Sequence, residues 1–145
     1  MSEKLILEFY DSDTSQEPVA CILAHWGGDN PSNAATTLAD FFGAISNLSN
    51  PRFEDAGLLA ARFVSWQGQK DSGEQSYDFI DACLIRTQEA YDYQVVRIYT
   101  DGEFCPRVEF VQDQYATNEE LEQAAMIMGE CRRVIHGQHT YFRLP

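Results

Sequence analysis

Residues 93–110 read YQVVRIYTDGEFCPRVEF, and the way this stretch folds decides the architecture. Two runs rich in valine, isoleucine and aromatic residues flank Asp101-Gly102. Asp-Gly favours a two-residue turn whose twist suits a pair of antiparallel strands. If Thr100 faces Glu103, then Tyr99 faces Phe104, Val95 faces Val108 and Tyr93 faces Phe110. Side chains alternate along a strand, so Tyr93, Val95, Val108 and Phe110 are expected on the core face. Val96, Ile98, Cys105, Arg107 and Glu109 then fall on the other face. Arg97 is the awkward residue in this register, because it lies among core-facing positions opposite Pro106. Either a carboxylate partners it, or Pro106 marks an edge or bulge and Arg97 reaches water. The second is the preferred reading.

Working outward, residues 4–10 and 19–26 are short apolar runs of strand length, joined by the polar segment DSDTSQEP. They suggest a hairpin with an acidic tip. GGDNP at 27–31 then ends a strand and starts a helix: Asn30 is a good N-cap and Pro31 suits the first helical position. Leu38, Phe41, Phe42 and Ile45 recur at helical spacing. A second helix start is read at Asn50-Pro51, with Ala56, Leu59, Ala60, Phe63 and Trp66 on one apolar face. Residues 68–76 read as a flexible connection, and FIDACLIR, 79–86, as a strand. TNEE at 117–120 is a capping box opening a last helix. Its expected stripe is Leu121, Ala125, Met128 and Ile135, with Gly137 ending it and HTYFRLP adding a short edge strand. The order β-β-α-α-β-β-β-α implies an α+β fold. We expect one domain over 1–145, an antiparallel sheet of about five strands with helices packed on one face.

Composition narrows the function. Asp and Glu total 23 against 10 Lys and Arg, a formal net charge of −13, and lysine occurs only at positions 4 and 70. Such a field repels nucleic acid and anionic lipid, so direct nucleic-acid or membrane binding is not expected. A basic protein partner is favoured, although acidity also serves solubility. Cys21, Cys83, Cys105 and Cys131 form no CxxC pair, and each lies in an apolar run, which suits buried thiols and a reduced, cytoplasmic compartment. The N-terminus carries no leader signature, and no apolar run is long enough to span a membrane.

Chemistry-bearing residues are few. His25 at a strand end could serve as a base with Asp29 orienting it, and Trp26 as a stacking surface. The plainer reading is packing, since buried aromatics are more often core than site. DSDTSQE resembles the start of a calcium loop, but Gln16 stands where that loop needs glycine and Ile22 where it needs glutamate. His136 and His139 straddle Gly137 without an acidic companion, so no metal is expected. No phosphate loop, nucleophile elbow or zinc-protease motif is present, which argues against an enzyme, and no cofactor is implied.

The stretches AHWGGDNP, LADFF and EDAGLLAARFV, with Tyr91-Asp92-Tyr93 further on, resemble a family of small uncharacterised phage and prophage-associated proteins. In that family a strand ends in His-Trp-(Asp/Gly)-Gly with a proline soon after. The matching positions are His25, Trp26, Gly28 and Pro31; Gly27 stands where the family has an acid, and one more residue precedes the proline. The resemblance covers roughly residues 5–110 and implies an α+β fold and a phage-associated setting, not a mechanism.

These readings point to a small acidic binding protein. Its narrowest form is a phage-encoded counter-defence inhibitor that mimics nucleic acid towards a basic host protein in the host cytoplasm. The carboxylates expected to contact the partner are Asp71, Glu74, Asp78 and Asp81, and Asp11, Asp13 and Glu17 at the hairpin tip. Glu119, Glu120 and Glu122 form a third cluster, which the helix dipole also explains. Two other readings stand beside this one: an enzyme with a site at His25, Trp26 and Asp29, and an accessory protein acting by self-assembly.

Overall fold

The computed structural model of the 145-residue chain describes residues 4–12, 14–24, 30–71, 77–79, 93–100, 105–111 and 116–143. The side chains at 70, 71, 77–79, 93 and 138–143 are outside it. The elements are β1 (Lys4–Tyr10), β2 (Ala20–Ala24), α1 (Pro31–Ser46), α2 (Ala56–Asp71), β3 (Tyr77–Phe79), β4 (Tyr93–Tyr99), β5 (Arg107–Phe110) and α3 (Asn118–Arg143). The protein is α+β, with strand order β3-β2-β1-β4-β5.

The sheet is mixed, not antiparallel. β1 pairs antiparallel with β2, Leu7 opposite Ile22, and parallel with β4, Ile6 opposite Val95. Parallel neighbours need a long crossover, and α1 and α2 lie in the chain between these two strands. β1 is therefore paired on both edges. Leu5, Leu7 and Phe9 point to the helices and pack with Ile22, Val96 and Ile98. Ile6 points the other way and packs with Cys21, Leu23 and Val95. Burial on both faces explains why 4–10 reads as an almost continuous apolar run.

The hairpin register differs from the expected one. Ile98 pairs with Val108 and Val96 with Phe110, where the Asp-Gly turn would have placed Val95 opposite Val108. That is a shift of three residues, 98 against 95, and an odd shift turns β4 over. Val108 and Phe110 do pack with the helix-side core, but their partners there are Val96 and Ile98, and Val95 lies on the opposite face. The reason is that β4 stays tied to β1 to its end. Thr100 continues that pairing, donating from its backbone N–H to Tyr10 O (3.0 Å) and from its hydroxyl to the same oxygen (2.9 Å). Residues 100–106 then separate β4 from β5, with Cys105 and Pro106 buried. Asp101-Gly102 itself lies outside the described residues, as does the side chain of Tyr93.

The starts of α1 and α3 are the ones the sequence marks. Asn30 Oδ1 accepts from Ser32 N (2.9 Å) with Pro31 in the first turn. Thr117 and Glu120 close the capping box reciprocally: Thr117 N–H donates to Glu120 Oε1 (3.0 Å), and Glu120 N–H to Thr117 Oγ1 (3.1 Å). α2 starts later than Asn50-Pro51. Its cap is Asp55, whose Oδ1 accepts from Leu58 N at 3.0 Å. Before it, Arg52 takes a positive φ of 54°, and Phe53 is buried edge-on to Phe42, ring centres 6.1 Å apart. Burying Phe53 is what keeps the chain out of helix until Ala56.

Three further expectations change. α2 runs to Asp71, so 68–71 is helical instead of a loose connection. The third strand covers Tyr77–Phe79, not 79–86, and 80–92 lie outside the described residues. α3 passes through Gly137 to Arg143, so 139–143 is helix and not an edge strand. An exposed helical glycine costs only about 1 kcal/mol, too little to stop a helix that is packed elsewhere. On that helix Ala124, not Ala125, joins Met128 and Ile135 in the core.

Two substitutions check this account. Asn30→Ala removes the α1 cap and should lower unfolding free energy by about 1 kcal/mol in denaturant titration. Val96→Asp buries an unpartnered carboxylate on the helix-side core and should cost about 3–5 kcal/mol. A loss below about 1 kcal/mol would contradict the β4 orientation.

Candidate functional site

The carboxylates singled out from the sequence are partly placed. Asp11 and Glu17 are exposed at the two ends of the β1–β2 connection, and Asp13 lies outside the described residues. Asp71 is the last residue of α2, and Asp78 sits in edge strand β3 with its backbone opposite Leu23. Glu74, Asp81 and the whole loop with His25, Trp26 and Asp29 lie outside the described residues.

The face of β1 and β4 turned away from α1 and α2 carries a polar cluster that the sequence only half revealed. Glu8 is fully buried, and its Oε1 accepts from Tyr10 Oη (2.8 Å) and from Arg97 Nε (3.3 Å). Arg97 also donates through Nη1 to Glu109 Oε1 (3.3 Å). Of the two possibilities weighed for Arg97, the carboxylate partner is the one realised. With Arg97 opposite Glu109 instead of Pro106, one guanidinium bridges a buried and an exposed acid. Tyr99 stacks on Tyr10 at 5.1 Å, and Arg107 lies 4.5 Å over the Tyr99 ring. Arg97 and Tyr10 both donate to the buried Glu8 carboxylate, which ties β1 to β4 and gives the cluster a structural role.

Among the described residues, α1 and α3 border an open groove of about 830 Å³. α1 commits Leu38, Phe41, Phe42 and Ile45 to the core, which leaves small residues, Ala39 and Gly43, facing α3. A Cβ built on Gly43 would meet nothing within 4 Å, so there is free space above it. On α3 the core line Ala124, Met128 and Ile135 is flanked by a second apolar line, Met126, Ile127 and Val134. Met126 is 74% exposed and Val134 41%, so this line presents apolar surface to solvent.

Carboxylates border this apolar wall. Asp40 and Glu130 line the groove. Glu119 and Glu122 lie one to two turns before Met126 and, at helical spacing, continue the same side of α3. Arg133 grips Glu130 through two bonds, Nε to Oε2 (3.0 Å) and Nη2 to Oε1 (2.6 Å), and this holds the Glu130 carboxyl below its usual range. Asp40, Glu119, Glu122 and Glu130 give this border an acidic character.

Cys131 stands in the groove wall, its Sγ–H directed at Ala39 O at 3.8 Å. Cys105 is buried at the entrance to β5, in the core cluster against which Cys131 packs. Their shared hydrogen bond, with burial, pushes the Cys105 thiol up. The same bond holds Cys131 below the usual thiol range, against burial and the nearby Asp40. The sequence reading treated each cysteine as a buried thiol, whereas Cys131 stands half-buried in a groove wall. It also missed the groove, whose one sequence signal was that α3 carries a second apolar line beside its core line.

No protein-family model, curated protein or solved structure matches this chain. Among the described residues no helix is long and apolar enough to cross a membrane.

The Glu8 clamp can be measured directly. Arg97→Met should cost about 2–3 kcal/mol, the lower end for a buried pair because Arg97 is partly exposed and screened. Adding Glu8→Gln should recover part of that loss, because it removes the buried charge. A double variant less stable than the single one would show that Glu8 does not depend on Arg97.

Proposed function

We propose that this chain is a small acidic binding protein that takes a basic, amphipathic segment of a partner protein into the α1–α3 groove. The observation that carries the reading is the pairing of an exposed apolar wall, Met126, Ile127 and Val134, with a border of Asp40, Glu119, Glu122 and Glu130. An amphipathic helix laid in a groove uses apolar anchors for affinity. Its flanking lysines and arginines would meet the carboxylates, which speeds encounter and selects the partner's sign. The net charge of −13 extends the same preference over the whole molecule.

The narrower form of the proposal is inhibition of a host nucleic-acid-binding or defence protein by a phage-encoded mimic. In it, carboxylates occupy positions that phosphates would take. Asp71, Glu74, Asp78 and Asp81 are its first contacts, with Asp11, Asp13 and Glu17 next. Its support is the charge, the near absence of lysine and the resemblance in residues 24–31 to phage-associated proteins.

The test uses a labelled helical peptide with a leucine stripe flanked by lysine and arginine, and a second peptide with those cations replaced by glutamate. The basic peptide should bind, faster at low salt. Met126→Asp should weaken it by about tenfold or more, some 1.4 kcal/mol. Changing Glu119, Glu122 and Glu130 to glutamine should mainly slow association. Equal binding of both peptides, or indifference to Met126→Asp, would remove the groove from the account. If only amides at Asp71, Glu74, Asp78 and Asp81 slow association with a nucleic-acid-binding protein, the mimic surface lies there instead.

A further inference from the structure

We propose that the α1–α3 groove is directional: it takes a helical segment whose cations sit in its first two turns, and lays that segment parallel to α3 with the cationic end at Glu119 and Glu122. The inference rests on the groove being the binding surface, and it adds the polarity of the guest. Three observations converge on it.

First, the two walls run in opposite directions. Cys131 Sγ–H is directed at Ala39 O, which fixes one point where α1 and α3 meet. From that point the lining continues eight residues towards the C-terminus of α1, from 39 to 47, and eight towards the N-terminus of α3, from 131 to 123. These two long arms border one groove only if the helices are antiparallel along it. The short arms, to Thr36 and Ile135, form its other end.

Second, the end where α1 terminates is electronegative. The last turn of α1 has no basic side chain to offset the partial negative charge of its C-terminus. Glu119 and Glu122 are exposed in the first two turns of α3, just before Gln123 and on the side that continues to Met126. Glu120 is engaged with its own helix, since it accepts from Thr117 N–H in the capping box.

Third, the opposite end is apolar and its charge is balanced. Glu130 is already held by Arg133 through two bonds, and the lining beyond it is Cys131, Val134 and Ile135. Asp40 stands beside Ala39, at the meeting point, and favours neither end.

A guest helix carries partial positive charge at its own N-terminus, and lysines or arginines in its first turns add to it. Both are drawn to the same end of the groove, so the guest runs parallel to α3 and antiparallel to α1. From Gln123 to Ile135 the wall is about 18 Å long at 1.5 Å per residue, which engages about three turns. Apolar anchors one turn apart then meet Met126, Ile127 and Val134. A segment with its cations in the last turns, the arrangement that stabilises an isolated helix, would bring them to Val134 instead.

The experiment uses the full chain and two peptides of identical composition with the same leucine stripe, one with its lysines in the first two turns and one with them in the last two. The peptides differ in helix content when free, and comparing their binding ratio between wild type and Glu119→Gln/Glu122→Gln cancels that difference. The preference for the first peptide should fall about fivefold in the variant. A nitroxide on the N-terminus of the first peptide should broaden the amide signals of Asn47 and Gln123 more than those of Thr36 and Val134, and a nitroxide on its C-terminus should reverse the pattern. If the double variant does not fold by circular dichroism, the broadening in wild type decides. Binding with the same broadening from either label, or a preference the variant leaves unchanged, overturns the direction and leaves the groove in place. Binding of neither peptide, or binding indifferent to Met126→Asp, removes the groove and this inference with it.

Discussion

The constraint on which the structure rests is the double pairing of β1. Hydrogen-bonded to β2 on one edge and to β4 on the other, it has no edge left, and both of its faces must be covered. Its apolar residues satisfy that demand easily. Glu8 does not, because a carboxylate with no exposed surface needs donors close by. Tyr10 supplies one from its own strand, two residues on. Arg97 supplies another from β4, directly opposite in the parallel register. The ion pair therefore reports register. Sliding β4 by one residue would carry Arg97 to the helix side and leave Glu8 facing an apolar residue.

The same constraint explains why the hairpin does not close tightly. Antiparallel pairing through a two-residue turn would have set β5 against β4 by local chemistry alone. Instead β4 is oriented by β1, a strand more than eighty positions earlier in the chain, and the connection to β5 adapts. Local turn preference amounts to a fraction of what burying Val96 and Ile98 is worth, so the long-range pairing wins. Cys105, displaced from any ladder position, ends in the core.

The helical layer shows a similar division. α1 turns its large apolar side chains into the core and lines the groove with small or polar ones, Thr36, Ala39, Asp40 and Gly43. α3 meets it with one apolar line buried and a second left open. The result is an apolar channel bordered by acids, in a molecule whose overall charge already repels anions.

Sequence alone determined what depends on neighbours in the chain. Asn30, Pro31 and the Thr117–Glu120 box mark helix starts because a cap is a contact over two or three residues. Apolar spacing placed Leu38, Phe41, Phe42 and Phe63 in the core, and α+β followed from the order of elements. The tertiary structure decided whatever joins distant segments. It set which face of β4 is buried, that β1 and β4 run parallel, and that Arg97 has a carboxylate to meet. It also set where Cys105 and Cys131 lie, and that α1 and α3 leave a groove between them. The physical reason is that periodicity and capping are local energies legible in a window of residues. Pairing partner, register and the groove between two helices are set by the burial of the whole chain at once.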